Sequence, residues 1–390
     1  MRPASLGRAR SSPAAPDASP ARRLGNRPGL TGLRAVAIAI VVARHAGEAA
    51  GSHTFDFGFA GVDVFFVLSG FLITSLLVGE WSRTGRISLP QFYVRRALRL
   101  LPALGAFLLV LLASVLFQPA DLRHRLVHAA ELSALFVGNV AKIVDPPFAL
   151  PHMWSLAMEE QFYLVWPVTL LVLLRLRAAR PLVMGVALGG AAAAVVARVA
   201  LSQLHVARAS ALFYSPLHSD GLLLGCALGL AYAWGWIPSP GTMRSLLTPA
   251  VGIAAAVFLL VSVRGAPFVT WGSTVGLGAI ALASAVFVYV ALDDRPVAPV
   301  RFLIWRPVTY LGEISYALYI WHLPVINLWP TNHLPVAARI AISLACASAS
   351  YHLVEKPFLR RKPRHAPDPG ERDAALGPIV VAPAPYPPPT

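Results

Sequence analysis

Residues 59–79 read FAGVDVFFVLSGFLITSLLVG, a run that carries a single charged side chain, Asp63. A helix rises about 1.5 Å per residue, so this run is long enough to cross the roughly 30 Å of hydrocarbon in a bilayer. The stretch therefore predicts a membrane-spanning helix, and it raises the question whether the rest of the chain contains more of them.

Composition extends this prediction to the whole chain. Of 390 residues, 56% are hydrophobic and 13% are charged, and the mean hydropathy is +0.63. Soluble proteins carry about 25% charged residues, so the composition argues against a soluble enzyme and against a disordered protein. Cys226 and Cys346 both lie in apolar runs, which argues against a disulfide scaffold or a zinc site. We expect an all-α, polytopic membrane protein without a metal.

Apolar segments of spanning length recur along the sequence. A further segment, 125–143, is apolar but is interrupted by polar and charged residues. The ten predicted spans are 31–48, 59–79, 100–117, 155–174, 181–201, 211–234, 247–263, 268–291, 309–329 and 335–354.

The net charge of +15 is interpreted through its distribution. Of the 33 Lys and Arg residues, 24 lie in the two tails and in alternate connections, as the positive-inside rule requires of the cytosolic side. The pattern holds if 118–153 stays on the outer side, so 125–143 is predicted to be a re-entrant or interfacial helix. Both termini are then cytosolic, and no nucleic acid partner is needed to explain the charge.

The domain prediction follows from the same pattern. Residues 1–28 form a basic tail and residues 363–390 a Pro-rich tail, and both compositions favour disorder. The segment between them, 29–362, is predicted to be one integral membrane domain in the inner (plasma) membrane, in contact with lipid.

Charged side chains at membrane depth cost about 2.5–3.5 kcal/mol on insertion scales, so each needs an explanation. Arg34 and His45 are 11 residues apart, which places them on one face of a helix and about 16.5 Å apart along it. A structural alternative makes Arg34 a snorkelling anchor and His45 an interfacial residue. Asp63 lies near the depth of His45 and is a candidate to orient its imidazole.

Small and basic residues mark the next two segments. Ser69 and Gly70 allow close approach of a neighbouring helix or of a ligand. Arg95, Arg96 and Arg99 are spaced to share a helix face, and guanidinium groups bind phosphate oxygens in two-point fashion. Positive-inside bias or binding of anionic lipid explains the arginines equally well.

Two further blocks carry polar and aromatic residues. The fourth span opens on the outer side with His152, Trp154, Glu159, Glu160 and Tyr163, a polar, aromatic-lined candidate site. The alternative is that first-turn carboxylates only stabilise the helix dipole.

The ninth span places Ser315, Tyr319 and His322 on one face, at i, i+4 and i+7. A histidine inside a long apolar span favours a functional role. The alternative is an interfacial aromatic belt.

These blocks, in this order, resemble the membrane-bound acyltransferase-3 family of bacterial O-acyltransferases, over residues 28 to 362. The matching motifs are Arg34-x10-His45, GVDVFFVLSGFLI (61–73), FYVRRALRL (92–100), WSLAMEEQFYLVWP (154–167), GEISYALYIWH (312–322) and HLVEKPF (352–358).

The resemblance implies transfer of an acyl group, usually acetyl, from cytosolic acyl-coenzyme A to a hydroxyl group. It implies an acceptor among surface polysaccharides, lipid-linked glycans or peptidoglycan, with small natural products such as macrolides as an alternative. It identifies Arg34 and His45 as the essential pair. The sequence departs from the family pattern at Thr31, where Asp is usual, and at Met158, where Val is usual. We expect no appended hydrolase-like domain of the kind that longer relatives carry after the membrane region, and we therefore expect transfer to be completed in the membrane domain or by a separate partner.

The resemblance also carries over residue by residue to Arg96 and Arg99 and to Ser315, Tyr316, Tyr319 and His322. With the polar and small residues of the second and fourth spans, the residues expected to bind substrate are Arg96, Arg99, Ser69, Trp154, Glu159, Tyr163, Ser315, Tyr319 and His322.

The mechanistic hypothesis has four catalytic residues: His45, Arg34, Asp63 and Glu160. His45 acts as general base on the acceptor hydroxyl or carries the acyl group transiently, because a histidine side chain is available in its neutral form near neutral pH. Arg96 and Arg99 receive the phosphates of acyl-coenzyme A, Arg34 guides the thioester arm, and Asp63 or the paired glutamates hold the imidazole tautomer.

Two other classes of protein compete with this hypothesis. A transporter or flippase would use buried Arg and His in a proton or substrate path, although no duplicated halves are evident in the sequence. A non-catalytic scaffold would not explain why polar groups gather at aligned positions. The acceptor, the acyl chain length and the oligomeric state are left open by the sequence.

Overall fold

The computed structural model describes residues 22, 24–52, 54–144, 148–204, 209–264, 275–328, 331 and 333–361. Within those ranges the protein is built from helices and contains no strand, which confirms the predicted all-α class. The predicted tails, 1–28 and 363–390, lie outside the described residues except for 22 and 24–28.

The described residues form fifteen α-helices joined by short turns, 3-10 segments and two π-helical segments at 324–328 and 350–355. The α-helices are α1 (Pro28–Ala49), α2 (Ala60–Thr84), α3 (Leu89–Val115), α4 (Ala120–Ala134), α5 (Gly138–Val144), α6 (Met153–Arg175), α7 (Arg180–Gln203), α8 (Ala209–Tyr214), α9 (Asp220–Ala233), α10 (Arg244–Arg264), α11 (Val275–Val290), α12 (Arg306–Glu313), α13 (Ser315–Leu323), α14 (Val336–Ala349) and α15 (Lys356–Leu359).

Seven helical stretches among the described residues are long and apolar enough to cross a membrane, so the chain is a multi-pass membrane protein. They correspond to seven of the ten predicted spans. Two of the other three predicted spans are interrupted: 211–234 breaks around the 3-10 turn at 216–218, and 309–329 divides at Ile314. The third, 268–291, falls partly outside the described residues, and its described part is a helix from Val275 to Val290.

The predicted re-entrant segment, 125–143, is also not one helix. It falls on α4 and α5, which are separated by a turn at 135–137. The left-handed backbone of Phe136, with φ 53°, lies in this turn.

Helix α2 is at the centre of the bundle and packs against α1, α6, α9 and α11. Its approach to α9 depends on two reciprocal glycines. A Cβ atom on Gly70 would lie 1.9 Å from the carbonyl oxygen of Leu222, and one on Gly225 would lie 2.1 Å from that of Val67. Gly70 therefore allows the close approach of a neighbouring helix, as its small size predicted.

The two ends of the bundle differ in chemistry. At the arginine end, where α1 begins, α2 finishes at Thr84 and α3 begins at Leu89, after the left-handed turn at Gly85 (φ 64°). The predicted cytosolic connection 80–99 is thus mostly helix, and its last arginines lie on α3. At the opposite end, the histidine end, α1 finishes and α6 begins.

Candidate active site

A cavity of about 430 Å³ opens within the arginine end of the bundle. We call it the large cavity. Its wall combines apolar side chains, mostly of α2, with charged and hydroxyl groups of α1, α2, α3, α6 and α13. The polar and charged side chains in its wall are Arg34, Ser69, Glu80, Arg95, Arg96, Arg99, Ser155, Glu159, Tyr163, Ser315, Tyr316 and Tyr319.

Arg34 enters the large cavity from α1 and is held by α13. Its Nε and Nη2 atoms donate to Oγ of Ser315, at 3.1 and 2.9 Å. Ser315 is fully buried, so this contact fixes the guanidinium in the wall rather than at the membrane surface. Arg34 therefore does not snorkel to the membrane surface, as the structural alternative proposed. Arg34 and Ser315, which belong to separate blocks of the sequence, are in direct contact.

Arg96 is held by the paired glutamates of α6. It donates from Nη2 to Oε1 of Glu160 at 2.7 Å and to Oε1 of Glu159 at 3.1 Å, and its guanidinium lies 3.6 Å from the centre of the Tyr163 ring. Glu159 also accepts hydrogen bonds from Tyr163, at 2.6 Å, and from Ser69. We predicted that Glu159 or Glu160 contacts His45 and holds its tautomer. That contact is not formed, because both carboxylates bind Arg96 at the arginine end.

Arg99 differs from Arg96 although it is one helical turn away. It lines the large cavity, and within the described part of the chain it makes no hydrogen bond or ion pair. Arg95, on the same helix, approaches Glu80 at 3.6 Å. Of the predicted phosphate-binding pair, Arg99 therefore has its donors available in the cavity, whereas Arg96 has committed at least two of its nitrogens to carboxylates.

A second cavity of about 80 Å³ lies at the histidine end. We call it the small pocket. His45 and Arg44 of α1, Phe59 and Val62 near the start of α2, and residues just before and within α6 form its wall. The lining residues are Val41, Arg44, His45, Gly58, Phe59, Val62, Pro151, His152, Trp154, Phe213, Tyr214 and Tyr319.

His45 is oriented by a carboxylate of its own helix. Its Nδ1 atom lies 2.9 Å from Oε2 of Glu48, and the other oxygen of Glu48 accepts from Nε of Arg44 at 2.9 Å. A carboxylate only accepts, so Nδ1 of His45 carries a hydrogen, and in the neutral imidazole the lone pair is then on Nε2. The predicted contact between Asp63 and His45 is not formed.

Asp63 instead pairs with His218. Its Oδ1 atom accepts from Nε2 of His218 at 2.9 Å, and both side chains are almost fully buried. His218 stacks on the Trp154 ring, with centroids 5.6 Å apart and planes 17° apart. The Asp63 carboxylate faces the 3-10 turn at 216–218 that precedes α9. Through the stacked rings of His218 and Trp154 it supports the wall of the small pocket.

Two more imidazoles lie next to His45. The ring of His322 is 5.3 Å from that of His45 and 5.5 Å from that of His152. His322 donates from Nδ1 to the carbonyl oxygen of Tyr319 at 2.7 Å, which leaves its buried Nε2 atom as an unpartnered acceptor among the described groups. Sequence reasoning placed His45 and His322 in different blocks, and the structure brings them together.

The two cavities share a wall. Val62 and Tyr319 are the residues common to both linings in the described chain. The Tyr319 hydroxyl donates to the carbonyl oxygen of His152 at 2.6 Å and therefore accepts from Oγ of Ser155. Tyr319 is thus fixed between α13 and α6.

Sequence reasoning missed several residues of this arrangement. Glu48, three residues after His45, was detectable from helical spacing alone. Val62, Ser155 and His218 were not, because their positions depend on which helices are neighbours. No group of three or more His, Cys, Asp or Glu residues in the described ranges is arranged to hold a metal ion.

The sequence is similar to known acyltransferases along most of its length. A protein-family model described as an acyltransferase domain matches residues 27–345. The peptidoglycan O-acetyltransferase OatA of Listeria monocytogenes is 30% identical over 354 residues, which is 85% of this chain and 55% of the relative. The putative peptidoglycan O-acetyltransferase YrhL of Bacillus subtilis is 30% identical over 365 residues, covering 85% of this chain and 54% of the relative.

A third relative, the O-acetyltransferase OatA of Staphylococcus aureus, is 30% identical over 362 residues, covering 86% of this chain and 57% of the relative. The chain therefore spans about half the length of the curated relatives that it matches. No solved structure gives a significant match.

Proposed function

We propose an acyl-transfer reaction for this chain, which belongs to the acyltransferase domain family: it moves an acyl group from acyl-coenzyme A to a hydroxyl group of a cell-envelope glycan. The observation that carries the proposal is the pair of cavities at opposite ends of the bundle, one with arginines and one with His45, separated by Val62 and Tyr319. Such an arrangement suits a donor and an acceptor that arrive from different sides of a membrane.

The large cavity is the proposed donor site. Its volume falls within the range of roughly 300–1,000 Å³ that is usual for ligand pockets. Arg99, with its uncommitted guanidinium, is proposed to bind a phosphate of coenzyme A in two-point fashion, while Arg96 shapes the wall through its ion pairs. Arg34, fixed by Ser315, lies deeper along α1 and is proposed to guide the thioester arm.

The small pocket is the proposed acceptor site. Its aromatic wall of Phe59, Trp154, Phe213 and Tyr214 suits the apolar faces of a sugar ring. Two of the relatives are named as peptidoglycan O-acetyltransferases, one of them putatively, which supports a cell-wall glycan as the acceptor class. Their names also support acetyl as the acyl group.

The reaction proceeds at the wall between the cavities. His45 accepts the hydroxyl proton of the glycan on Nε2, and the hydroxyl oxygen forms a bond to the thioester carbonyl carbon. The carbon–sulfur bond breaks, and the coenzyme A thiolate leaves and takes up a proton. Positioned bases of this kind contribute about 10²–10⁴-fold to rates. In the variant of the mechanism with a transient carrier, Nε2 of His45 attacks the thioester carbonyl carbon and the carbon–sulfur bond breaks. The glycan hydroxyl then attacks the same carbon, the carbon–nitrogen bond breaks, and the hydroxyl proton passes to the released Nε2.

The membrane arrangement is proposed along with the reaction. The arginine end faces the cytosol with both termini, and the histidine end faces outward across the inner (plasma) membrane. The three remaining predicted segments, 211–234, 268–291 and 309–329, complete ten crossings, and α4 with α5 forms the re-entrant or interfacial segment. Residues 29–362 then act as one membrane domain.

The test uses the full chain purified in detergent and returned to liposomes, with radiolabelled acetyl-coenzyme A and peptidoglycan oligosaccharides. We expect labelled ester on the oligosaccharide and stoichiometric release of thiol. H45A should reduce transfer at least 100-fold, and the matched control H124A, at an exposed histidine of α4, should leave it unchanged. Wild-type transfer by H45A would refute the role of His45, and no thiol release from any acyl-coenzyme A would refute the reaction.

A further inference from the structure

Two side chains, Val62 and Tyr319, line both cavities in the described part of the chain. Val62 is 7% exposed, and it reaches both cavities from the first turn of α2. Tyr319 reaches them from α13 and is 9% exposed. Its hydroxyl is fixed by Ser155 and by the His152 carbonyl, so the ring cannot turn aside without losing two hydrogen bonds.

The reacting carbonyl has to come to this wall. An acceptor hydroxyl held by His45 in the small pocket can attack only a carbonyl carbon that lies between Val62 and Tyr319. The carbon atoms of the acyl group beyond that carbonyl must then pack against these two side chains. The space on the far side is small, because the small pocket measures about 80 Å³ against about 430 Å³ for the large cavity, and the acceptor has to share it.

From this geometry we propose that Val62 and Tyr319 set the length of the acyl group that the chain transfers, with the branched Val62 side chain excluding acyl groups longer than acetyl. The proposal rests on the function proposed above. Tyr319 supplies the fixed surface, and Val62 supplies the side chain whose size decides how many methylenes fit.

The decisive variant is V62A, which removes two methyl groups from the wall and leaves the hydrogen bonds of Tyr319 in place. The matched control is V67A, on the same helix, where the same change is made on the face that packs against α9 and that lines neither cavity. For each protein, initial rates of transfer to peptidoglycan oligosaccharides are measured with acetyl-, propionyl- and butyryl-coenzyme A at equal concentrations. The ratio of the butyryl rate to the acetyl rate does not depend on the amount of folded protein.

We expect V62A to raise that ratio tenfold or more and V67A to leave it within twofold, because one methylene in an apolar pocket is worth about 10–200-fold in discrimination. V62I, which enlarges the same side chain, should lower the ratio of propionyl to acetyl transfer. If V62A does not fold, the change in the propionyl-to-acetyl ratio of V62I still tests whether the size of side chain 62 sets the acyl length.

Two results would overturn the proposal while the proposed function stands. The first is that V62A and V62I retain acetyl transfer and leave the rates with longer acyl donors, relative to the acetyl rate, unchanged. The second is that the ratio of butyryl to acetyl transfer rises equally in V62A and V67A, which would indicate general loosening of the bundle. A wild-type protein that transfers no acyl group from any of the three donors would instead contradict the proposed function itself.

Discussion

His45 and Glu48 lie one turn apart at the end of α1, with Nδ1 of His45 2.9 Å from Oε2 of Glu48. In the neutral imidazole this contact places the hydrogen on Nδ1 and the lone pair on Nε2. Arg44 holds the second oxygen of Glu48 at 2.9 Å and also donates to the carbonyl oxygen of Asp56. The imidazole is therefore positioned by a short chain of contacts within one helix end and the turn that follows it.

Removing this positioning carboxylate should slow acyl transfer without removing donor binding. We expect E48A to lower kcat about 10–100-fold, since small misplacement of a reacting group costs up to about 100-fold, and to leave KM for acetyl-coenzyme A unchanged. E48Q should retain more activity than E48A because its amide oxygen can still accept from Nδ1. The control is E131Q, on α4, whose side chain is 67% exposed. Equal loss in E48A and E48Q would show that the charge matters rather than the hydrogen bond.

The two arginines of the large cavity should respond differently to the same substitution. R99Q is expected to raise KM for acetyl-coenzyme A about tenfold, because a charge-assisted contact to phosphate is lost, and to leave thermal stability unchanged. R96Q is expected to lower the free energy of unfolding by about 3 kcal/mol, because it leaves Glu159 and Glu160 without their cation.

Both arginine variants are measured by steady-state kinetics and by the midpoint of thermal unfolding in detergent. R86Q, at an exposed arginine of the turn between α2 and α3, serves as the control for loss of positive charge alone. A large rise in KM for R96Q with no change in its unfolding midpoint would mean that Arg96 leaves its glutamates to bind the donor.

Sequence reasoning was successful where a property is local. Apolar run length predicted the long helices, and helical spacing placed Arg34 and His45 at opposite ends of one helix face, where they line different cavities. It failed for contacts between helices: depth alone suggested that Asp63 orients His45, but the rotation of α2 directs that carboxylate to His218. The breaks at 216–218 and at Ile314 also escaped prediction, because a short polar turn inside an apolar run does not alter mean hydropathy enough to be seen.

The corrected partner of Asp63 makes a prediction about stability. H218A should lower the free energy of unfolding by about 3–5 kcal/mol, because it leaves a carboxylate that is 1% exposed without its partner. D63N should be milder, since the amide oxygen still accepts from Nε2 of His218, and its transfer rate per folded molecule should stay within twofold of wild type. The measurements are thermal unfolding in detergent and acetyl transfer, with H124A as the exposed-histidine control. A 100-fold loss of rate in D63N at unchanged stability would restore Asp63 to the chemistry.

The packing of α2 on α9 gives a prediction that needs no substrate. A Cβ atom on Gly70 would lie 1.9 Å from the carbonyl oxygen of Leu222 and 3.0 Å from the backbone nitrogen of Cys226, so G70A must push the two helices apart. We expect G70A to destabilise the protein by about 1–3 kcal/mol or more.

The matched control for G70A is G105A, on α3, where no heavy atom lies within 4 Å of the added Cβ. Because alanine is favoured over glycine inside a helix by about 1 kcal/mol, G105A should be neutral or slightly stabilising. Thermal unfolding in the same detergent compares the two variants directly. Because Val62 and Ser69 are carried on α2 as well, separation of α2 from α9 in G70A should also widen the wall between the cavities, so acetyl transfer should fall together with stability. Wild-type stability in G70A would mean that α2 and α9 are not in close contact at Gly70, and the positions of both cavities along α2 would have to be revised.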